Sequence, residues 1–96
     1  MSKMYWVYIL TNRTTTTLYV GVTSDLDRRL AEHAARADPT AFTARYRTDR
    51  LVHAEAFADA RDAISREKQL KRWRREKKRA LVDAHNPGWQ DLRDGD

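Results

Sequence analysis

The chain has 96 residues, of which 41 % are hydrophobic and 34 % charged, with a formal charge of +5 and a pI near 9.9. That length allows one domain with a modest core and leaves no room for a separate recognition domain, so any chemistry shares its surface with substrate binding. The positive balance draws polyanions, and the absence of cysteine excludes disulfides, a thiolate zinc site and thiol catalysis. The apolar run from Met4 to Leu10 is too short to span a membrane and lacks a small-residue cleavage signal behind it, so a cytoplasmic protein with no membrane partner is expected.

In chain order, Tyr5 to Leu10 and Leu18 to Val22 are rich in aromatic and β-branched residues and flank the polar segment TNRTTTT, which predicts a β-hairpin with a long loop. Gly21 lets the backbone bend or another group approach closely, and Thr23 or Ser24 can cap a helix over Asp25 to Ala35, where Leu26, Leu30 and His33 share a face. Pro39 fits a loop after that helix, while TAFTARYRTDR has no clear pattern. LVHAEAF alternates well enough for a third strand, with Leu51, His53, Glu55 and Phe57 on one side and Val52, Ala54 and Ala56 on the other, the alanine side being placed toward a helix. From Asp59 to Ala84 helix formers dominate, predicting one long helix or two with a bend, with Ile64, Leu70, Trp73 and Leu81 toward the sheet. Trp89 and Leu92 of the tail are expected to fold back onto the domain. These elements make a single α/β (α+β) domain over residues 1–96, with a core over about 4–84 and a tail over 85–96.

Several side chains could carry chemistry. Tyr8 and Tyr19 lie on successive hairpin strands, where opposite or diagonal positions would bring their rings together, and a phenol can hydrogen-bond a water or a phosphate oxygen. Packing is the commoner use of strand tyrosines. Arg28 and Arg29 begin a basic ridge, with His33 one turn after Arg29, so that a guanidinium fork and an imidazole could bracket a phosphate; a solvated arginine and a boundary histidine are the plainer alternative. Glu67 lies between Ile64 and Leu70 on the inward or boundary face of its helix. There a carboxylate needs a cation, a donor or solvent, which either a Mg²⁺ or Mn²⁺ ion or a basic side chain would satisfy. Lys68, Lys71, Arg72, Arg74, Arg75, Lys77, Lys78 and Arg79 outnumber Glu76, which favours backbone phosphates as partners and recognition by shape more than by sequence. Trp73 could stack on a base or face the core.

Taken together, WVYIL, LYVGVTSDLDRRLAEH, REKQLKRWRREKK and NPGWQDL resemble, in order and over nearly the whole chain, the GIY-YIG nuclease superfamily and its small single-domain UPF0213 members. The resemblance implies a three-stranded antiparallel sheet flanked by helices and metal-dependent endonucleolytic hydrolysis of DNA at branched or damaged structures. RNA, or a partner protein that chooses the target, remains open. Tyr8 would activate water, Tyr19 would contact water or phosphate, Arg29 would stabilise the scissile phosphate with His33 beside it, Glu67 would hold Mg²⁺ or Mn²⁺, and Asn86 would help shape the site. Arg28, Lys68, Lys71, Arg72, Arg75 and Lys78 would hold nucleic acid. Two departures are visible: Trp6 stands for the first glycine of the family motif, and Val22 stands where some repair nucleases carry lysine. The second favours a noncatalytic DNA- or RNA-binding module that keeps the fold.

Overall fold

The computed structural model describes residues 3–35 and 47–94, so the expected loop at Pro39 and most of TAFTARYRTDR lie outside the described residues. Strands β1 (Tyr5–Thr11), β2 (Leu18–Thr23) and β3 (Arg50–Phe57) form an antiparallel sheet in the order β2-β1-β3. Helix α1 (Leu26–Ala35) follows the hairpin, and helices α2 (Ala60–Arg72) and α3 (Arg75–His85) follow β3, with a short 3₁₀ turn at Leu92–Asp94. This is the three-stranded α/β architecture expected from the sequence. No helix among the described residues is long and apolar enough to cross a membrane.

The most apolar strand, β1, takes the centre of the sheet, where both of its faces are covered. On one face Val7, Ile9, Val20 and Val52 pack against Ala63, Leu70, Val82 and Trp89. On the other, Tyr8, Leu10 and Leu51 pack against Leu30, with Tyr19 and Leu26 at the margin. The hairpin loop closes through Asn12, whose side-chain oxygen accepts from the backbone N–H groups of Thr16 and Thr17.

Four details differ from, or decide between, the expectations. The β1–β3 register shifts between Ile9 and Leu10, so that Ile9 faces His53 while Leu10 faces Leu51. The irregularity breaks the alternation of LVHAEAF between Val52 and His53: Leu51 lies on the α1 side with Ala54, and Val52 lies on the α2–α3 side with Glu55 and Phe57, so each has changed places relative to the expected grouping. Ala54, opposite Tyr8, is half-buried and Ala56 is exposed, so the alanine side is mostly uncovered. Second, Asp25 caps α1, its carboxylate accepting from the Arg28 N–H at 3.1 Å, while Thr23 Oγ1 accepts from Asp25 N and shapes the approach.

Third, the long helical span is two helices. Trp73 and Arg74 are extended at the break although neither glycine nor proline is present. Leaving the helix lets the Trp73 ring pack against the core, with the cations of Arg66 and Lys77 at 5.1 and 4.3 Å from its centroid. Tertiary packing here outweighs helix propensity, and the indole is a core-margin side chain. Fourth, the buried stripe of α2 is Ala63 and Leu70, one helical register away from Ile64, which is exposed. In the tail Trp89 folds back as expected, its indole N–H donating to Asp83, whereas Leu92 stays exposed.

Candidate active site

The register places Tyr8 opposite Gly21 and Tyr19 opposite Leu10, so the two tyrosines are diagonal neighbours on the α1 face of the sheet. Their ring centroids are 6.3 Å apart, and His33, presented by α1, stands 6.1 Å from Tyr8 and 5.4 Å from Tyr19. Gly21 makes room for this arrangement, since a Cβ there would lie 2.4 Å from Cζ and Oη of Tyr8 and 3.0 Å from Tyr19 Cε1. Glycine is required by the close approach of the phenol.

The electrostatics set the charges. Burial raises the pKa of Tyr8, against a lowering hydrogen bond from Arg29, so the phenol is neutral at pH 7. Burial, and then the nearby charge of Arg29, lower the pKa of His33, so the imidazole is neutral as well. The 3.3 Å contact between Tyr8 Oη and His33 Nε2 therefore joins two neutral groups, and the histidine tautomer decides which of them donates. Arg29 is held more firmly cationic, first by its hydrogen bond to Tyr8 and also by one to Tyr19. Its outer edge is about half exposed and reaches Glu32 Oε1 at 3.5 Å.

Four of the expected site residues, Tyr8, Tyr19, Arg29 and His33, thus meet in one cluster. Tyr8 is fully buried, while Tyr19, Arg29 and His33 retain solvent-facing surface. A phosphate oxygen reaching the cluster from solvent would find a guanidinium, a phenol and an imidazole, with the second phenol fixing the imidazole from behind. The pattern of residue types did not single out two members. Glu32 pairs with Arg28 and Arg29, and its spacing of four and three residues along α1 is the signal for it. Asp49 acts electrostatically on His33, and no sequence spacing connects the two.

Glu67 is contributed by another layer. It lies on the stripe of α2 that carries Ala63 and Leu70, with 15 % of its side chain exposed, and pairs with Lys71 Nζ at 3.2 Å. Among the described residues no hydrogen bond or ion pair joins it to the tyrosine cluster, and no group of three or more histidine or acidic side chains is placed to hold a metal. A single recessed carboxylate still fits Mg²⁺ or Mn²⁺, which are often held by one or two carboxylates with water and phosphate oxygens completing the shell; Lys71 would have to release it.

The remaining expected residues divide by role. Arg28, Lys68, Lys71 and Arg72 are exposed and Lys78 is half-buried. Arg75, expected at the nucleic acid, donates to Thr16 O, and Arg79 donates to Thr15 O at 2.7 Å, so both hold the hairpin loop. Asn86 is buried and fully engaged: its amide donates to Val52 O and Gln90 O, and its carbonyl accepts from Gln90 N. It ties the tail to β3. Val22 packs against the larger core, and the position supplies no cation.

Comparison with known proteins agrees with this geometry. Residues 4–80 match the family model described as the GIY-YIG catalytic domain. A UPF0213 protein of Haloquadratum walsbyi is 36 % identical over 83 residues, covering 86 % of this chain and 91 % of that protein. A UPF0213 protein of Lacticaseibacillus paracasei is 33 % identical over 89 residues, covering 93 % of this chain and 98 % of its own length. The solution structure of a UPF0213 protein from Bacillus halodurans superposes with a TM-score of 0.59 at 30 % identity, covering 93 % of each chain. With the fold, the paired tyrosines and the family match all in agreement, the chain belongs to the GIY-YIG superfamily and, within it, to the UPF0213 proteins.

Proposed function

We propose that this domain binds the phosphodiester backbone of nucleic acid, DNA before RNA, with Arg29, His33 and Tyr19 addressing one phosphate and the exposed cations of α2 and α3 addressing its neighbours. The observation that carries this reading is the position of Arg29, a half-exposed guanidinium backed by two phenols. A fixed donor fork with an open edge suits a phosphate oxygen. Arg28, Lys68, Lys71, Arg72 and Lys78 carry no base-reading pattern, which favours recognition of backbone shape.

A second reading, metal-dependent endonucleolytic hydrolysis, is favoured by the Tyr8–His33 hydrogen bond, which gives the cluster a route for moving a proton between a buried phenol and a solvent-facing imidazole. A Mg²⁺ or Mn²⁺ ion on Glu67 would supply Lewis-acid stabilisation of the phosphate. Arg29 would neutralise charge developing on the phosphate oxygens, and Tyr19 would orient the group it contacts.

One experiment separates the two. Single-stranded, duplex, flap and branched DNA with matched RNA are offered to the wild type and to Glu67→Ala, in Mg²⁺ or Mn²⁺ and in EDTA. Binding that persists in EDTA, without cleavage by either protein, is expected from the binding module. Metal-dependent cuts lost in Glu67→Ala would establish the nuclease instead, and no binding at low salt would refute both.

A further inference from the structure

The β1–β2 loop is fixed from three directions. Asn12 closes it internally, and Thr11 Oγ1 donates to Thr17 O at 2.7 Å. Thr17 and the fully buried Thr48 join hydroxyls at 2.9 Å, tying the loop to the segment that enters β3. Arg75 and Arg79 hold its carbonyls from α3. The exposed charged side chain carried on this framework is Arg13. It lines a cleft of about 380 Å³ together with Arg47, Arg50, Asp49 and Asp91.

The charges in this cleft do not balance internally. Asp91 is committed to Arg93, which holds it through Nε and Nη2 and keeps its carboxyl below the ordinary range even though burial pushes it up. Arg93 also donates to Asp49 O at 2.9 Å, bracing the cleft wall. Among the described residues Arg13, Arg47 and Arg50 form no ion pair. With Asp91 committed to Arg93, the three guanidiniums share the cleft with one further carboxylate, that of Asp49, and the excess of positive charge is what a bound anion would offset. Arg47 is also held at φ 53°, a left-handed backbone that an arginine rarely adopts. The charge of Asp49, in the cleft wall, is felt at His33 of the tyrosine cluster.

We propose that the Arg13–Arg47–Arg50 cleft is a second phosphate subsite, receiving a backbone phosphate that flanks the one addressed by Arg29 and His33. The proposal rests on the nucleic-acid reading above and deepens it. The strand passes from the α1 face across Asp49 to the hairpin loop, and the rigid loop sets the spacing between the two phosphates. The ligand is the sugar-phosphate backbone, read without reference to sequence.

The test is the salt dependence of binding to a labelled oligonucleotide, with unchanged thermal midpoints confirming folded variants. Arg13→Gln with Arg50→Gln is expected to weaken binding on the order of tenfold at low salt and to reduce the slope of log affinity against log salt by about two. Arg61→Gln removes one charge from an exposed position elsewhere and is expected to leave the slope unchanged. Wild-type binding with an unaltered slope in the double variant would overturn the subsite while sparing the nucleic-acid reading. An equal loss per charge in Arg61→Gln would reduce the effect to net charge and overturn it too. Failure of the wild type to bind any nucleic acid at low salt would remove both.

Discussion

On its α2–α3 side the sheet buries Val7, Ile9, Val20 and Val52 against Ala63, Leu70, Val82 and Trp89, a continuous apolar contact. On its α1 side the apolar cluster is smaller, and a tyrosine pair, an arginine and a histidine stand beside it. One surface supplies most of the burial that holds a small domain together, which frees the other to carry polar groups whose desolvation opposes folding. Arg29 and His33 can be held in a partly buried site because the opposite face stabilises the sheet without them.

Substitutions on each side sharpen that contrast. The largest effect is expected from Leu70→Ala, which opens a cavity in the larger core and should cost about 2–5 kcal/mol in a urea melt, much of the stability of a domain this size. Next is Gly21→Ala: the methyl group would sit on Tyr8, and a cost of about 1–3 kcal/mol is expected, together with loss of the Tyr8–His33 contact in NMR spectra. If Gly21→Ala left that contact intact, the α1 face would be more plastic than its packing implies.

The two sides should also respond to acid in different ranges. Burial pushes the Glu55 carboxyl up, but hydrogen bonds from Arg66 and His53 outweigh it and hold the group below the ordinary 4.5. Its stabilisation is complete above that value and is lost as the pH falls through the folded pKa, so Glu55→Gln should flatten the acid limb of a stability profile. His33 behaves as a depressed base: above 6.5 it is neutral whether folded or not, and as the pH falls below 6.5 the unfolded chain protonates first and the fold weakens. The smallest effect expected is in Arg29→Gln, where removing the neighbouring cation should raise the His33 pKa measured by NMR toward 6.5 without reaching it, because burial remains.

Strand β1 and the hairpin were legible in the sequence because each follows from a local period, whereas the grouping of Tyr8 and Tyr19 with Arg29 and His33 followed from the family resemblance. Alternation put the tyrosines on one face of the sheet, and one helical turn put Arg29 beside His33. What escaped depends on contacts between distant segments. The register shift at Ile9 and Leu10 moves Leu51 away from the face of His53, Glu55 and Phe57 and brings Val52 onto it, and no pattern within LVHAEAF encodes it. The helix break at Trp73 reflects an indole reaching the core, with no local breaker present. Arg75 and Arg79 read as members of a basic surface, although their guanidiniums serve loop carbonyls far away in sequence. Charge counting sees a cation and misses its partner when that partner is a backbone oxygen.

Those two arginines also make the hairpin loop depend on the far end of the chain. The hairpin itself joins neighbouring segments, but the bonds fixing its loop link residues 59 and 64 positions apart. During synthesis the strands can pair long before the helix that clamps their turn exists, and an unclamped turn leaves the placement of Arg13 undecided. The hairpin's outer rim is therefore a finished surface only when the C-terminal helix is docked against it.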